Sequence, residues 1–210
     1  MTSLILLGAG GFGLELLAYA QDCKKAGSLS CSIKGFLDDS KPVGTLHGGA
    51  PILGPTDSEL DKEAIYMVAL GMPAARKALA DKVTTKGGKL LSLIHPSAYT
   101  ASTAQIGDGS ILTPFSFAGP ECVIAENVLL NLYASVAHES HVGAHSVLSP
   151  YAGTQARAKL ANSVFCGAHT AITYGVKVGT GAKIAAGSIV YSDLADGAEA
   201  FGNPARMRTS

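Results

Sequence analysis

A six-residue repeat dominates the second half of the chain. Residues 106–130 read IGDGSILTPFSFAGPECVIAENVLL, and the same spacing continues to residue 195 without an insertion. Every sixth residue is apolar in fourteen of fifteen cases, and the residue four positions further on is small in fourteen of fifteen. The first set comprises Ile106, Leu112, Ala118, Ile124, Leu130, Val136, Val142, Leu148, Thr154, Leu160, Cys166, Ile172, Val178, Ile184 and Val190.

A six-residue period fits neither an α-helix nor a two-sided strand, whose side chains repeat about every 3.6 and 2 residues. It fits a coil with three flat sides, in which each hexad gives a short strand and a turn. The aliphatic residue then points inward, and the small residue fits under the corner. Stacked coils bury one continuous core, as in other solenoids. We therefore predict a β-solenoid with five full coils from Ile106 to Ala195.

The composition of the 210-residue chain agrees with this fold and excludes several classes of protein. Charged residues make up 15% of the chain, 25 residues are glycine, and the net charge is zero. Corners need the permissive backbone of glycine, and coil faces need few charges. A balanced charge gives no basic surface for nucleic acid or an anionic membrane. No apolar run reaches the roughly 20 residues of a membrane helix.

The first 94 residues follow a different pattern, in which apolar strands alternate with helical periodicity. Strands are predicted at 4–7, 33–37, 65–70 and 89–94, and helices at 14–25 and 76–86. This alternation implies a parallel sheet with helical crossovers. The sequence thus predicts a small α/β Rossmann-like domain at 1–94 and the solenoid with its tail at 95–210.

The four cysteines are scattered and contain no C-x-x-C pair. Cys23, Cys31, Cys122 and Cys166 are expected to be free thiols, which favours a reducing cytoplasm. The chain begins on a strand that leads directly into a glycine loop, and we expect no signal peptide.

Five motifs together resemble the hexapeptide-repeat nucleotide-sugar acetyltransferases. They are GAGGFG at 8–13, FLDD at 36–39, IHP at 94–96, AHE at 137–139 and GNPAR at 202–206. This group includes bacillosamine and perosamine N-acetyltransferases and relatives of the sialic-acid O-acetyltransferase. The resemblance spans Leu4 to Arg206. It implies a left-handed parallel β-helix, a homotrimer, and acetyl-CoA as the acyl donor.

The glycine loop, Gly8 to Gly13, fits the pattern G-x-G-x-x-G between a strand and a helix. Such glycines let the backbone approach a diphosphate, whose charge the helix N-terminus favours. Read alone, the loop indicates a nicotinamide dinucleotide, but this domain is too short for a second nucleotide half. The resemblance implies instead a nucleotide-linked sugar, contacted by Gly10, Gly11, Phe12, Asp38, Asp39 and Gly71. A turn needed only for tight packing is the alternative.

His138 is the candidate catalytic residue. It holds the third position of its hexad, on a turn, and should project outward. A neutral imidazole can accept the proton that an attacking amine loses, and the neighbouring Glu139 can orient the ring. The resemblance places the family's catalytic histidine and its acidic partner on these two residues. A surface histidine without a role is the alternative.

Further site residues are assigned mainly by the resemblance. Ala168 and Ala186, eighteen residues apart, are expected to contact coenzyme A along one groove, and Arg206 or Arg208 to contact its phosphates. His145 lies two residues before the position of a coenzyme-contacting histidine in relatives; it either replaces that residue or faces solvent. Asn131 matches a position near the sugar, although an inward asparagine that binds only backbone is equally consistent.

The spacing His138-x2-His141-x3-His145 also suggests a zinc site. The three histidines hold the third, sixth and fourth positions of their hexads, however, and should point in different directions. We therefore expect no metal.

The sequence predicts an enzyme that acetylates the amine of a nucleotide-linked amino sugar at a subunit boundary. Three alternatives remain open: O-acetylation of a sugar such as sialic acid, a non-catalytic trimer that binds nucleotide sugar, and a dehydrogenase.

Overall fold

The computed structural model describes residues 2–208; Met1, Thr209 and Ser210 lie outside it. The N-terminal part contains β1 (Ser3–Leu7), α1 (Gly11–Lys25), β2 (Ser32–Leu37), β3 (Leu46–His47), β4 (Ala50–Gly54), β5 (Ala64–Val68), α2 (Pro73–Thr85) and β6 (Lys89–Leu90). The strands form one sheet in the order β3-β4-β2-β1-β5-β6. Only the β3–β4 pair is antiparallel among these described strands. The predicted α/β domain is confirmed.

The two helices cover opposite faces of this sheet. Helix α1 buries Leu16, Leu17 and Ala20 against the face that carries Leu6. Helix α2 buries Val83 and its neighbours against the other face. Because α1 also contacts the solenoid, it lies between the sheet and the second domain.

The solenoid strands are two residues long and follow one another every six residues. They are β7 (Leu93–Ile94), β8 (Tyr99–Thr100), β9 (Gln105–Ile106), β10 (Ile111–Leu112), β11 (Phe117–Ala118), β12 (Val123–Ile124), β13 (Leu129–Leu130), β14 (Ser135–Val136), β15 (His141–Val142), β16 (Val147–Leu148), β17 (Gly153–Thr154), β18 (Lys159–Leu160), β19 (Phe165–Cys166), β20 (Ala171–Ile172), β21 (Lys177–Val178), β22 (Lys183–Ile184) and β23 (Ile189–Val190). A hairpin of β24 (Glu199–Phe201) and β25 (Arg206–Met207) follows.

Each solenoid strand up to β20 pairs in parallel with the strand eighteen residues further on, which produces three flat faces. Face 1 contains β7, β10, β13, β16, β19 and β22 and is extended by the terminal hairpin. Face 2 contains β8, β11, β14, β17, β20 and β23, and face 3 contains β9, β12, β15, β18 and β21. We name the turns between them corner 1–2, corner 2–3 and corner 3–1. The predicted left-handed β-helix of hexapeptide repeats is confirmed.

The inward row of hexad residues forms the solenoid core. Leu112, Leu130 and Leu148 are fully buried, and their equivalents on the other two faces are buried apart from Ile106, which is half-buried. Thr154, the polar exception in this row, is also buried, and its hydroxyl accepts a hydrogen bond from the Ala137 backbone N–H at 3.2 Å. A polar residue is tolerated there because its hydroxyl has a backbone partner.

The corners turn through left-handed residues that are often not glycine. Phe115, Tyr133, Tyr151 and His169 all have φ between 58° and 62°. Their rings stack along corner 1–2 with centroids 5.0, 4.8 and 4.7 Å apart. Such pairs are worth about 0.5–1.5 kcal/mol each when well packed, which offsets part of the cost of the left-handed backbone.

The N-terminal domain docks on face 1 through apolar side chains. Leu93, Ile111, Leu129 and Val147 point outward from this face and join the hydrophobic cluster of helix α1. The segment predicted as one strand at 89–94 divides here, because β6 completes the N-terminal sheet and β7 begins face 1. No helix within residues 2–208 is long and apolar enough to cross a membrane.

Gly143 allows two coils to stack closely, and we expect its replacement to destabilise the solenoid. A Cβ atom on Gly143 would lie 2.5 Å from the carbonyl carbon of Ala161 and 2.6 Å from its oxygen. Gly143→Ala should therefore lower the free energy of unfolding by about 1–3 kcal/mol, as overpacking does, measured by urea denaturation. Ala161→Gly, at the same hexad position one coil on, is the control and should cost only about 0.5–1 kcal/mol. An equal or smaller loss for Gly143→Ala would contradict this packing.

Candidate functional site

The glycine loop connects β1 to helix α1 and leaves open space outside the helix N-terminus. Gly10 precedes the helix, and no side chain caps its first turn among the described residues. The first backbone N–H groups of a helix have no partner within it. A Cβ on Gly13 would lie 2.5 Å from the Gly8 carbonyl oxygen, whereas a Cβ on Gly10 or Gly11 would meet no atom within 4 Å. Tight packing therefore explains Gly13 but not Gly10 and Gly11.

The two aspartates after β2 hold the backbone around the glycine loop. Asp38 accepts hydrogen bonds from the Ala9 N–H at 2.7 Å and from the N–H and hydroxyl of Ser40 at 2.9 and 2.7 Å. Desolvation raises the pKa of Asp38, but the hydrogen bonds from Ser40 and Ala9 outweigh it, and the pKa lies below its usual value. Asp39 accepts from the N–H and hydroxyl of Thr56 at 2.7 and 3.0 Å.

A cavity of about 310 Å³ opens beside this loop, where the carboxyl ends of β1, β2 and β5 meet. Ligands of open α/β sheets bind at this edge. Gly8, Asp38, Asp39, Ser40, Thr56, Leu70, Ala75, Ala78 and Leu79 line the cavity.

Two other residues expected at this site lie beside the cavity. Gly71 directly follows the lining residue Leu70, and a Cβ on it would meet no atom within 4 Å. The side chain of Phe12 packs against the core under α1, so its backbone is the part exposed to a ligand. The contribution of α2 was not predicted from the sequence, although the N-terminus of a crossover helix returns near this edge of a parallel sheet.

His138 lies on corner 2–3 with its side chain 56% exposed. Its Nδ1 is 2.9 Å from Oε2 of Glu139. Arg157 donates from Nε to both carboxylate oxygens of Glu139, at 3.1 and 3.2 Å. The hydrogen bonds from Arg157 and from His138 keep the pKa of Glu139 below its usual value. An ionised Glu139 favours the tautomer with the proton on Nδ1, so that Nε2 of His138 is the acceptor.

Arg157 and Tyr174 extend this arrangement, and neither was predicted from the sequence. The Arg157 Nη1 donates to the Tyr174 hydroxyl at 2.8 Å. Arg157 stands eighteen residues after Glu139, and Tyr174 stands seventeen residues after Arg157. The eighteen-residue coil length would have placed Arg157 directly above Glu139.

The residues expected to bind coenzyme A lie on a different corner from His138. Ala168 and Ala186 occupy successive turns of corner 1–2, where the Gly187 N–H donates to the Ala168 carbonyl at 2.8 Å. Asn131 lies on the same corner, and its side chain accepts from the Leu132 N–H at 2.8 Å. Face 2 separates all of these from corner 2–3 in a single chain. Arg206 is exposed on the terminal hairpin.

His145 lies on the third corner, 3–1, half-buried beneath the N-terminal domain. Its Nδ1 is 3.0 Å from Nδ2 of Asn127, and desolvation lowers its pKa below the usual value. His141 points outward from face 3. The side chains of His138, His141 and His145 therefore point away from the coil in three different directions. Within residues 2–208 no group of three or more His, Cys, Asp or Glu side chains is placed to hold a metal ion.

The chain is similar to known acetyltransferases at the level of sequence. Residues 3–83 match the family described as the PglD N-terminal domain. The UDP-N-acetylbacillosamine N-acetyltransferase of Bacillus subtilis is 27% identical over 115 residues, which are 53% of this chain and 51% of that protein. The chain matches about half the length of its curated relatives.

Solved structures match nearly the whole chain. The acetyltransferase domain of PglB from Neisseria gonorrhoeae, in complex with acetyl coenzyme A, has a TM-score of 0.88 at 29% identity and covers 98% of each chain. PerB from Caulobacter crescentus, in complex with CoA and GDP-perosamine, has a TM-score of 0.90 at 22% identity and covers 100% of this chain and 98% of that one. At that identity the likeness shows the fold alone. Residues 3–83 thus match the PglD N-terminal domain, and the chain as a whole shares the fold of the acetyltransferase domain of PglB.

Proposed function

We propose that the protein transfers the acetyl group of acetyl-CoA to the amine of a nucleotide-linked amino sugar. The observation that carries this proposal is the exposed His138 on corner 2–3, oriented by a Glu139 that Arg157 keeps ionised. The acetyltransferase names of the relatives and the acetyl coenzyme A complex of the Neisseria domain support the same reaction class.

The N-terminal domain is the proposed binding site for the nucleotide-linked sugar. The uncapped first turn of α1 would receive the diphosphate at the backbone of Gly10, Gly11 and Phe12. The nucleoside would occupy the adjacent cavity, where Asp38 and Asp39 hold the rim in place. The sugar would extend past Gly71 toward the solenoid and contact Asn131 there.

His138 is the proposed general base. An ammonium ion has no lone pair, so the acceptor reacts as the neutral amine and gives one proton to Nε2 of His138 as it attacks or from the tetrahedral adduct. Acetyl-CoA supplies a thioester whose carbonyl carbon is open to attack by nitrogen. As the C–N bond forms and the C–S bond breaks, His138 returns the proton to the departing sulfur, which leaves as a free thiol. Glu139 stabilises the imidazolium between these steps.

Corner 1–2 is the proposed binding site for coenzyme A. Ala168 and Ala186 present small side chains and backbone groups on successive turns, where an extended pantetheine arm can lie along the solenoid axis. Arg206, exposed on the terminal hairpin, would meet the phosphates. Because Nδ1 of His145 already faces Asn127, only its Nε2 remains for a coenzyme contact.

The three faces of the solenoid differ in what covers them, which supports a homotrimer. The N-terminal domain covers face 1, and the outward row of face 3 carries exposed His141, Lys159 and Lys177. The outward row of face 2 is uncharged and is not covered by the described residues; it consists of Tyr99, Phe117, Ser135, Gly153, Ala171 and Ile189. Apolar, small-residue surfaces of this kind favour contact with another protein.

A second copy packed against face 2 would also complete the site. Face 2 is flanked by corner 2–3, which carries His138, and by corner 1–2, which carries Ala168 and Ala186. Rotation about an axis beside this face brings corner 2–3 of one subunit to corner 1–2 of the next. The buried free thiols fit the reducing cytoplasm, where we place the reaction.

We expect His138→Ala to reduce kcat/KM for a nucleotide-linked amino sugar by about 10²–10⁴-fold, because the general base is lost. Release of free thiol from acetyl-CoA measures the rate. His141→Ala, which removes an exposed histidine from face 3 three residues away, should stay within about twofold of wild type. Retention of more than half of the wild-type value by His138→Ala would rule out the mechanism.

Gly11→Leu should weaken the binding of the nucleoside diphosphate at least about tenfold without loss of stability. The new side chain would enter the open space reserved for the diphosphate, while leucine favours the helix more than glycine does. Isothermal titration with the nucleoside diphosphate and thermal unfolding measure the two effects. Ala18→Leu adds the same side chain to an exposed position of α1 and should leave affinity unchanged. Equal affinity in both variants would show that the diphosphate does not bind at this loop.

Ala171→Lys places a charge in the middle of face 2 and should dissociate the trimer, with loss of thiol-release activity. Val123→Lys places the same charge on the outward row of face 3 and should leave both unchanged. Light scattering after size-exclusion chromatography gives the mass. A wild-type protein of 21.3 kDa in solution, or a trimer that survives Ala171→Lys, would contradict the proposed interface.

A further inference from the structure

Arg76 is the largest fully buried side chain among the described residues, and no carboxylate accepts its hydrogen bonds. Burial lowers the pKa of Arg76 to about 9, which leaves the guanidinium charged at pH 7. A buried cation costs several kcal/mol unless its donors are satisfied. All five N–H groups of Arg76 have partners, which are the carbonyl oxygens of Val68 and Leu70 and the carbonyl and side-chain oxygens of Asn127.

These partners belong to two different domains. Val68 ends β5, and Leu70 lines the proposed nucleotide cavity directly before Gly71. The distances from the Arg76 Nη1 to their carbonyl oxygens are 2.9 and 3.0 Å. Asn127 lies on corner 3–1 of the solenoid, where its oxygens accept at 2.8 to 3.1 Å. One side chain thus connects the rim of the nucleotide cavity to the coil.

A second hydrogen bond fixes the orientation of the Asn127 side chain. Its Oδ1 accepts from Arg76, so its Nδ2 points the other way and lies 3.0 Å from Nδ1 of His145. His145 therefore accepts at Nδ1 and is neutral there. The Asn127 backbone has φ 53° and its N–H is bound to the Asp108 carbonyl, so both the amide and the turn are held.

We infer that Arg76, Asn127 and His145 form a positioning relay that fixes the nucleotide cavity relative to the solenoid that carries His138. The inference rests on the proposed function, because it assigns the relay to a reaction between groups on two domains.

The other contacts between the domains are mainly apolar, through helix α1 and the outward row of face 1. The polar ones are long: Nε2 of His95 lies 3.8 Å from the Asp22 carboxylate, and the Cys23 thiol lies 3.7 Å from the Ile94 carbonyl oxygen. Apolar contact is not directional, whereas hydrogen bonds with fixed geometry select one relative position of the two domains.

Catalysis depends on the relative position of the two domains, because the proposed diphosphate site and the general base His138 lie on different domains. A substrate held by its diphosphate in the N-terminal domain must present its amine to His138, whether of the same subunit or of a neighbour. A displacement of about 1 Å can cost on the order of 10²-fold in rate. None of the three relay residues contacts the reacting atoms; they act through the position of the domain.

Asn127→Gly is the most direct test, since glycine keeps the left-handed backbone and removes only the carboxamide. Ser163→Gly is its matched control: it lies two coils further on the same corner with φ 58°, and its hydroxyl makes no hydrogen bond within the described residues. Spin labels at Lys62→Cys and Lys159→Cys report the distance between domains by double electron–electron resonance, with labelled subunits diluted by unlabelled ones. The four native cysteines are buried and should escape labelling.

We expect Asn127→Gly to shift or broaden the distance distribution and Ser163→Gly to leave it as in wild type. An unchanged distribution in Asn127→Gly overturns the relay, whatever the enzyme's activity. A changed distribution in a protein that acetylates no nucleotide-linked amine supports the relay as a domain clamp and refutes the proposed function instead.

The kinetic readout separates positioning from general stability. In Asn127→Gly, kcat/KM for the nucleotide-linked amino sugar should fall about 10²-fold. The slow reaction of the same amino sugar without a nucleotide, which the N-terminal domain does not anchor, should change less than about twofold, as should acetyl-CoA affinity. An equal fall for both acceptors would mean that the amide only stabilises the fold and would overturn the positioning role.

Discussion

The structure depends on the stacking of one coil on the next at a fixed interval of eighteen residues. A backbone N–H of one coil donates to the carbonyl eighteen or so residues away on each face, as between β10, β13 and β16. This ladder places position i directly beneath position i+18. It brings Arg157 to Glu139, His145 to Asn127, and the turn of Ala186 to that of Ala168. These three contacts are consequences of this one register.

The hexad pattern predicted much of this arrangement because it depends only on local spacing. It identified which residues point inward, and it placed His138 on a turn with an outward side chain, as the structure shows. The hexad pattern also predicted that the side chains of His138, His141 and His145 point in different directions. The one strand expected at 89–94 was divided between the domains, since the choice between extending the sheet and starting face 1 is made by tertiary pairing.

Arg76 shows what spacing could not predict. An arginine in an amphipathic segment normally lies at the surface, and its partner Asn127 is 51 residues away in another domain. The contact exists only because α1 packs on face 1 and brings the end of β5 to corner 3–1. The stacked rings of Tyr133, Tyr151 and His169 were not predicted from the spacing either. The sequence predicts that the corners need a backbone that tolerates positive φ, and in the structure ring packing lets residues other than glycine adopt it.

We infer that the two domains divide the reaction between them: the α/β domain anchors a nucleotide, and the solenoid acetylates the amine attached to it. Thiol release from acetyl-CoA tests this claim most directly with three matched acceptors: a nucleotide-linked amino sugar, the same molecule with a hydroxyl in place of the amine, and the free amino sugar. We expect rapid release with the nucleotide-linked amino sugar, at least about 10²-fold slower release with the free amino sugar, and none with the hydroxyl analogue. Release with the hydroxyl acceptor but not with the amine, or with no acceptor at all, would contradict this claim.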